Sequence, residues 1–159
     1  PTFTATADVQ LAQTSCTNAY RVGDLEEAIV QCKTLAESYP NDVELNYCIT
    51  HMLIITSNLG RNEVRIQDAL DFAERAINAD PEAPHGWAIR AMALDWHRDY
   101  EAALASALHA KALDSTYAPT YAFLGEIYQD LGQYDQAWGY LEQAQFGEKL
   151  CWWNSNRMC

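Results

Sequence analysis

Apolar residues recur three and four positions apart along most of this chain, the spacing that keeps them on one face of a helix. Polar and helix-breaking residues interrupt the pattern at short intervals. The breaks are Gly23-Asp24, Tyr39-Pro40-Asn41-Asp42, Gly60-Arg61-Asn62, Asp80-Pro81, His97-Arg98-Asp99, Asp114-Ser115 and Gly132. Between them the periodicity predicts eight helices, at about Asp8–Arg21, Leu25–Ser38, Val43–Leu59, Val64–Ala79, Pro84–Trp96, Tyr100–Leu113, Ala118–Leu131 and Tyr134–Phe146. Connections this short make consecutive helices antiparallel, giving four helical pairs.

A smaller signature recurs within the second helix of each pair: a bulky residue, two others, then alanine. It occurs at Leu25–Ala28, Ile66–Ala69, Tyr100–Ala103 and Tyr134–Ala137. The alanines are 41, 34 and 34 residues apart, the mark of one supersecondary unit stacked on copies of itself. Paired helices approach closely only where side chains are small. Ala28, Ala69, Ala103 and Ala137 supply that on the second helices, and Cys16, Ala91 and Gly125 on the facing first helices. Large apolar residues a turn away fill the gaps, each worth roughly 1.5–3 kcal/mol when fully buried.

The last pair reads Tyr121-x2-Leu124-Gly125-x2-Tyr128, then Gly132, Tyr134, Ala137, Leu141 and Ala144. The third keeps Trp87, Ala91, Leu94, Tyr100, Ala103, Ala107 and Ala110, with Ser115 at the closing place. The second keeps Ala69, Ala73, Ala76 and Pro81, and the first Gly23, Leu25, Ala28, Leu35 and Pro40. This pattern resembles the tetratricopeptide repeat. The resemblance implies an all-α, right-handed α-solenoid of four antiparallel helix pairs over 8–147, divided as 8–40, 41–81, 82–115 and 116–147. Before it lies a Thr/Ala-rich tail, 1–7, and after it a Trp/Cys-rich segment, 148–159.

The resemblance further implies a concave groove lined by the first helix of each pair, which in this family holds extended or helical peptides. The positions carried over are Gln13, Thr17, Tyr20 and Arg21; Glu44, Tyr47, Cys48 and His51; His85, Ala88, Ile89, Met92 and Trp96; and Ala122, Phe123, Glu126 and Gln129. Of these, Tyr20, Arg21, Tyr47, His51, Met92, Trp96, Phe123 and Glu126 are the expected partner contacts, since aromatic residues, Met and Arg favour recognition. Where some family members clamp a peptide carboxylate with Lys, Asn and Arg, this chain holds aromatic, aliphatic and acidic residues. The second unit is seven residues longer than the others, with the excess near Thr56–Arg65. A hairpin over Ile55–Asn62 is therefore expected to project about two helical turns, either as a binding element or as neutral drift.

Charge narrows the function classes. The formal net charge is −12, which argues against nucleic acid and anionic lipid surfaces as partners. No apolar run reaches the length of a membrane span. Gly-rich phosphate loops, G-x-S-x-G and H-E-x-x-H are missing. His97-Arg98-Asp99 imitates a kinase catalytic loop but falls at a repeat turn. The four histidines do not pair at ligand spacing on one helix, and no C-x-x-C occurs. No enzyme activity, metal or cofactor is expected.

Five cysteines leave at least one without a partner inside the chain. Cys16 and Cys32 are equidistant from the turn at Asp24 and face one seam, either as a disulfide or as two small buried hydrophobes. Cys151 and Cys159 bracket a short segment and are a second candidate pair, which leaves Cys48 over. Trp152 and Trp153 are expected either to cap the last helix pair or to dock on another subunit. The Thr/Ala-rich start fits a linker after a signal peptide or lipid anchor, or a frayed terminus. An extracytoplasmic setting is favoured over a cytoplasmic one. The expected function is a non-catalytic scaffold or adaptor that binds protein or peptide. The alternative is a structural subunit of a larger assembly, contacting copies or neighbours through the tail and convex faces.

Overall fold

The computed structural model describes the backbone of residues 7–151 and the side chains of residues 14–144. Among them are eight helices and no strand: α1 (Ala7–Val22), α2 (Leu25–Ser38), α3 (Val43–Ile55), α4 (Glu63–Ala79), α5 (Pro84–Trp96), α6 (Tyr100–Leu113), α7 (Ala118–Asp130) and α8 (Tyr134–Cys151). They pack as α1 on α2, α3 on α4, α5 on α6 and α7 on α8. The pairs are joined by α2 on α3, α4 on α5 and α6 on α7, and α5 lies between α3 and α7. The chain is an α-solenoid of four helix pairs.

Local chemistry sets the helix boundaries. Asp24, Asp42, Asn62 and Asp99 each accept, through the side chain, from the backbone N–H three residues on, capping α2, α3, α4 and α6. Helices α5 and α7 have no side-chain cap but carry Pro84 and Pro119 in their first turns. Within three of the pairs the chain reverses through the same pair of backbone bonds. Gly23 and Asp24 donate to Tyr20 and Ala19, Arg98 and Asp99 to Asp95 and Leu94, and Gly132 and Gln133 to Gln129 and Tyr128. The reversal requires a left-handed residue. It is Gly23 (φ 79°) and Gly132 (φ 73°) in two turns but Arg98 (φ 67°) in the third.

The small residues at the pair seams are buried: Cys16, Ala28, Ala69, Ala91, Ala103 and Ala137. In the second pair the facing position is Thr50. Its hydroxyl donates to the Asn46 carbonyl at 2.8 Å and reaches the Ala69 carbonyl of α4 at 3.3 Å. A buried polar side chain is thereby tolerated where its sister pairs use Cys, Ala or Gly. One apolar cluster runs from Cys16 and Ile29 through Ile49, Met52 and Phe72 to Ile89 and Phe123. A second joins Ala91, Leu94 and Ala107 to Leu124, Ile127 and Tyr128. Cys16 and Cys32 are disulfide-bonded, tying α1 to α2.

The long second unit does not project as its sequence suggests. Helix α3 has 13 residues, the same as α5 and α7, and stops at Ile55. The excess forms an irregular loop and a longer α4. Asn58, Leu59 and Gly60 all take positive φ, and the buried Ser57 hydroxyl accepts from the Gly60 N–H at 2.9 Å. A Cβ at Gly60 would lie 2.7 Å from the Trp96 carbonyl oxygen, so the loop folds back against the end of α5. Ser57 and three left-handed residues bend the chain back before a further helical turn forms.

Candidate functional site

Helices α3, α5 and α7 stand side by side, and the faces turned away from their partner helices form one surface. At its helix-start end four rings touch in sequence. His51 stacks on Tyr47 with centroids 6.5 Å apart and planes 18° apart. Tyr47 meets His85 edge-on at 6.5 Å, and His85 meets Tyr117 at 4.5 Å. Tyr117 also hydrogen-bonds Tyr47. Glu44 lies 3.5 Å from His85 Nε2, close enough to pair with it when the imidazole is protonated. The strip thus spans α3, α5 and the residue preceding α7. All four rings are part-exposed.

The environment shifts two of these groups. Burial pushes the Tyr47 phenol up to about 12; the Tyr117 hydrogen bond works against this, and Glu44 and Tyr20 add to it. Burial alone lowers His51 below the ordinary imidazole value, which keeps it neutral at physiological pH.

At the other end of the same helices the character is acidic. Asp95 sits in the last turn of α5, with Glu126 and Asp130 one turn apart on α7. Asp95 is only 3% exposed, and its Oδ1 has no hydrogen-bond partner among the described residues. Burial first, then Asp130, then Glu126, raise its carboxyl to about 7. Glu126 is exposed, and its carboxyl is raised as well, by lost hydration first and then by Asp130. None of α3, α5 and α7 has a basic residue in its last turn, so the negative ends of three helix dipoles add to the carboxylates. Arg21 brings a basic group to the last turn of α1. No cluster of His, Cys, Asp and Glu among the described residues is arranged to hold a metal ion.

No protein-family model matches the chain, and no curated protein matches it in sequence. Solved structures do match it in shape. A protein from Thermus thermophilus described as a thermophilic TPR protein superposes with TM-score 0.73 at 20% identity, over 90% of this chain and 73% of its own. MamA superposes with TM-score 0.66 at 20% identity, over 89% of this chain and 73% of its own. YrrB, described as a TPR protein with an unusual peptide-binding site, gives TM-score 0.59 at 17% identity over 85% and 66%. This chain has the tetratricopeptide-repeat fold.

Within that repeat frame the sequence-derived positions fall into three groups. Tyr47 and His51 are in direct contact, and Tyr20 packs part-buried beside them. Met92 and Phe123, 6% and 8% exposed, are built into the main apolar cluster, with Trp96 part-buried against it. Arg21 and Glu126 are exposed, and Glu126 joins the acidic end. Trp152, Trp153 and a Cys151–Cys159 bridge lie outside the described residues. Cys48, buried on α3, carries a disulfide, whereas the sequence left it over. Repeat-position reasoning also missed Tyr117, Asp95 and Asp130. Tyr117 stands just before α7, outside the helical register used to choose groove positions. Asp95 had a legible signal: a lone carboxylate in the run Ala91-Met92-Ala93-Leu94-Asp95-Trp96.

Proposed function

We propose that this chain is a non-catalytic scaffold that binds a segment of another protein on its concave face, with Tyr47, His51, His85 and Tyr117 as the contact strip. The observation that carries the reading is the strip itself. Four rings from α3, α5 and the start of α7 lie in mutual contact and part-open to solvent. Such rigid amphipathic rings give large contact area at low entropy cost. YrrB, of the same fold, is described as having a peptide-binding site, which supports the general use. The two disulfide-bonded sites, Cys16–Cys32 and Cys48, favour an oxidising, extracytoplasmic setting.

Panning a random-peptide display library on the wild type, then measuring selected peptides on a Tyr47→Ala, His85→Ala variant, tests the reading. Selected peptides are expected to bind the variant about tenfold or more weakly. Equal binding to both proteins, or no selection at all, would overturn it.

A second reading is favoured by α8, which packs on α7 alone among the described helices. Its Tyr134 and Trp138 are 70% and 66% exposed and share a face by their four-residue spacing. In that reading the chain is a subunit that docks neighbours through this end. Sedimentation equilibrium of wild type and Trp138→Glu distinguishes them: association lost in the variant supports the subunit, and a monomer at all concentrations removes it.

A further inference from the structure

We propose that Asp95, Glu126 and Asp130 form a pocket for a cationic side chain, Arg or Lys, of the segment bound on the concave face. The inference rests on the concave-face reading and names the chemistry that this end of the face selects.

Three observations converge. The Asp95 carboxylate is almost wholly buried, and its Oδ1 has no hydrogen-bond partner among the described residues. A buried polar oxygen without a partner is costly and is normally found paired. Asp95 lies on α5, and α7, packed against it, carries Glu126 and Asp130 four residues apart on one face. The ion pairs that the described residues form are Lys33–Asp68, Arg65–Glu26, His85–Glu44 and Arg90–Glu74. None involves the pocket, so no described cation of this chain satisfies it. The last turns of α3, α5 and α7 add their carbonyl ends to the same region.

The polarity decides the ligand class. A carboxylate-bearing ligand would meet three acids and the negative ends of helices. A neutral apolar group would leave Asp95 unpaired. A guanidinium or ammonium supplies several N–H donors and the opposite charge. The guanidinium is also weakly hydrated and matches carboxylate pairs in a fixed fork.

Three pentapeptides serve as probes: acetyl-Ala-Ala-X-Ala-Ala-amide with X as Arg, Lys or norleucine. They are titrated against isotopically labelled wild type, an Asp95→Asn, Glu126→Gln variant, and a Glu37→Gln, Glu101→Gln variant. The last removes the same charge from exposed sites on α2 and α6. The Arg and Lys peptides are expected to shift the backbone resonances around Asp95, Glu126 and Asp130. Their affinity should fall about tenfold or more in the pocket variant and stay unchanged in the charge control. The Arg peptide should bind more tightly than the Lys peptide if the fork geometry is used. Norleucine shifting the same resonances, no shift at Asp95 with any probe, or equal weakening in both variants would overturn the pocket; the last would mean diffuse attraction to an acidic surface. If the pocket fails while library peptides still depend on Tyr47 and His85, only this inference falls. If the pocket binds Arg but panning is unaffected by Tyr47 and His85, the contact strip is the part that is wrong.

Discussion

The side-chain amide of Asn46 donates to the carbonyl of Pro40 at 2.9 Å, and the same six-residue step recurs in the next two units. Trp87 Nε1 donates to the Pro81 carbonyl at 2.9 Å, and the Tyr121 hydroxyl to the Ser115 carbonyl at 2.6 Å. Each bond ties the fourth residue of a first helix to the turn that enters it. Asn, Trp and Tyr share no shape, but each offers a donor at the same reach. The second unit therefore lacks the family's aromatic and still keeps the function of that position.

Removing one of these donors should cost little globally but consistently. Trp87→Phe and Tyr121→Phe are each expected to lose about 1 kcal/mol in urea unfolding, the usual net value of such a bond. A loss of several kcal/mol would show that the rings matter through packing and not through the donor.

Arg98 holds the left-handed turn position that is glycine in two sister turns. Arg98→Gly relieves that strain, offset in part by the looser unfolded chain. A gain of about 0.5–1 kcal/mol is expected from the shift in denaturation midpoint. An unchanged or lower midpoint would mean that the Arg98 side chain makes a stabilising contact.

Space, not conformation, decides Gly86. A Cβ there would lie 2.8 Å from the backbone nitrogen of Ile77, at the junction of α4 and α5. Gly86→Ala should destabilise by about 1–3 kcal/mol, as overpacking does. Gly139→Ala on α8, where a Cβ meets nothing within 4 Å, should stabilise by up to about 1 kcal/mol through helix propensity. Thermal melts of the pair read the difference.

The buried Asp95 makes stability fall as pH rises. Its carboxyl titrates at about 7 in the folded chain and near 3.9 unfolded. Between these values the native state holds the extra proton, so the slope of unfolding free energy against pH is negative. Stability from this group is fully present below about pH 4 and lost as pH passes through 7. The loss is at most about 4 kcal/mol, since a tenfold difference in acidity is worth about 1.4 kcal/mol. Asp95→Asn should flatten that part of the profile and melt higher than wild type at pH 8. Coincident profiles for the two proteins would show that Asp95 is hydrated in solution.

Non-reducing peptide mapping checks the cysteines. Cys16 and Cys32 hold each other, and Cys48 also carries a disulfide. A peptide joining Cys16 to Cys32 is expected, and Cys48 should resist alkylation until the protein is reduced. A Cys48 that alkylates without reduction would contradict it. Cys16→Ala, Cys32→Ala should lose about 3 kcal/mol, the entropy of opening a loop of that size.

Architecture was legible because it is written redundantly. Four registers of small residues, glycine turns and apolar faces repeat the same instruction, and each seam alanine is buried where its spacing puts it. The surface was less legible because a groove is set by relations between units. Nothing in the sequence shows that His85 lies against Tyr117, or that Met92 is built into the apolar cluster. The extra residues after Ile55 read as length, which a helix would turn into reach. Ser57 and three consecutive left-handed residues turned them back onto Trp96.

The covalent tie between α1 and α2 gives this solenoid a direction. A stack of pairs held by nearest-neighbour contacts can open from either free end. Here Cys16–Cys32 locks the first pair and the disulfide at Cys48 anchors α3, while the fourth pair meets the other described helices only through α5 and α6. With the Cys48 bond removed, as in Cys48→Ser, the fourth pair should be the first to detach under mechanical load and the first pair the last to open. The acidic end of the face on α7 would then be the first part of the surface dismantled, and the rings on α3 among the last.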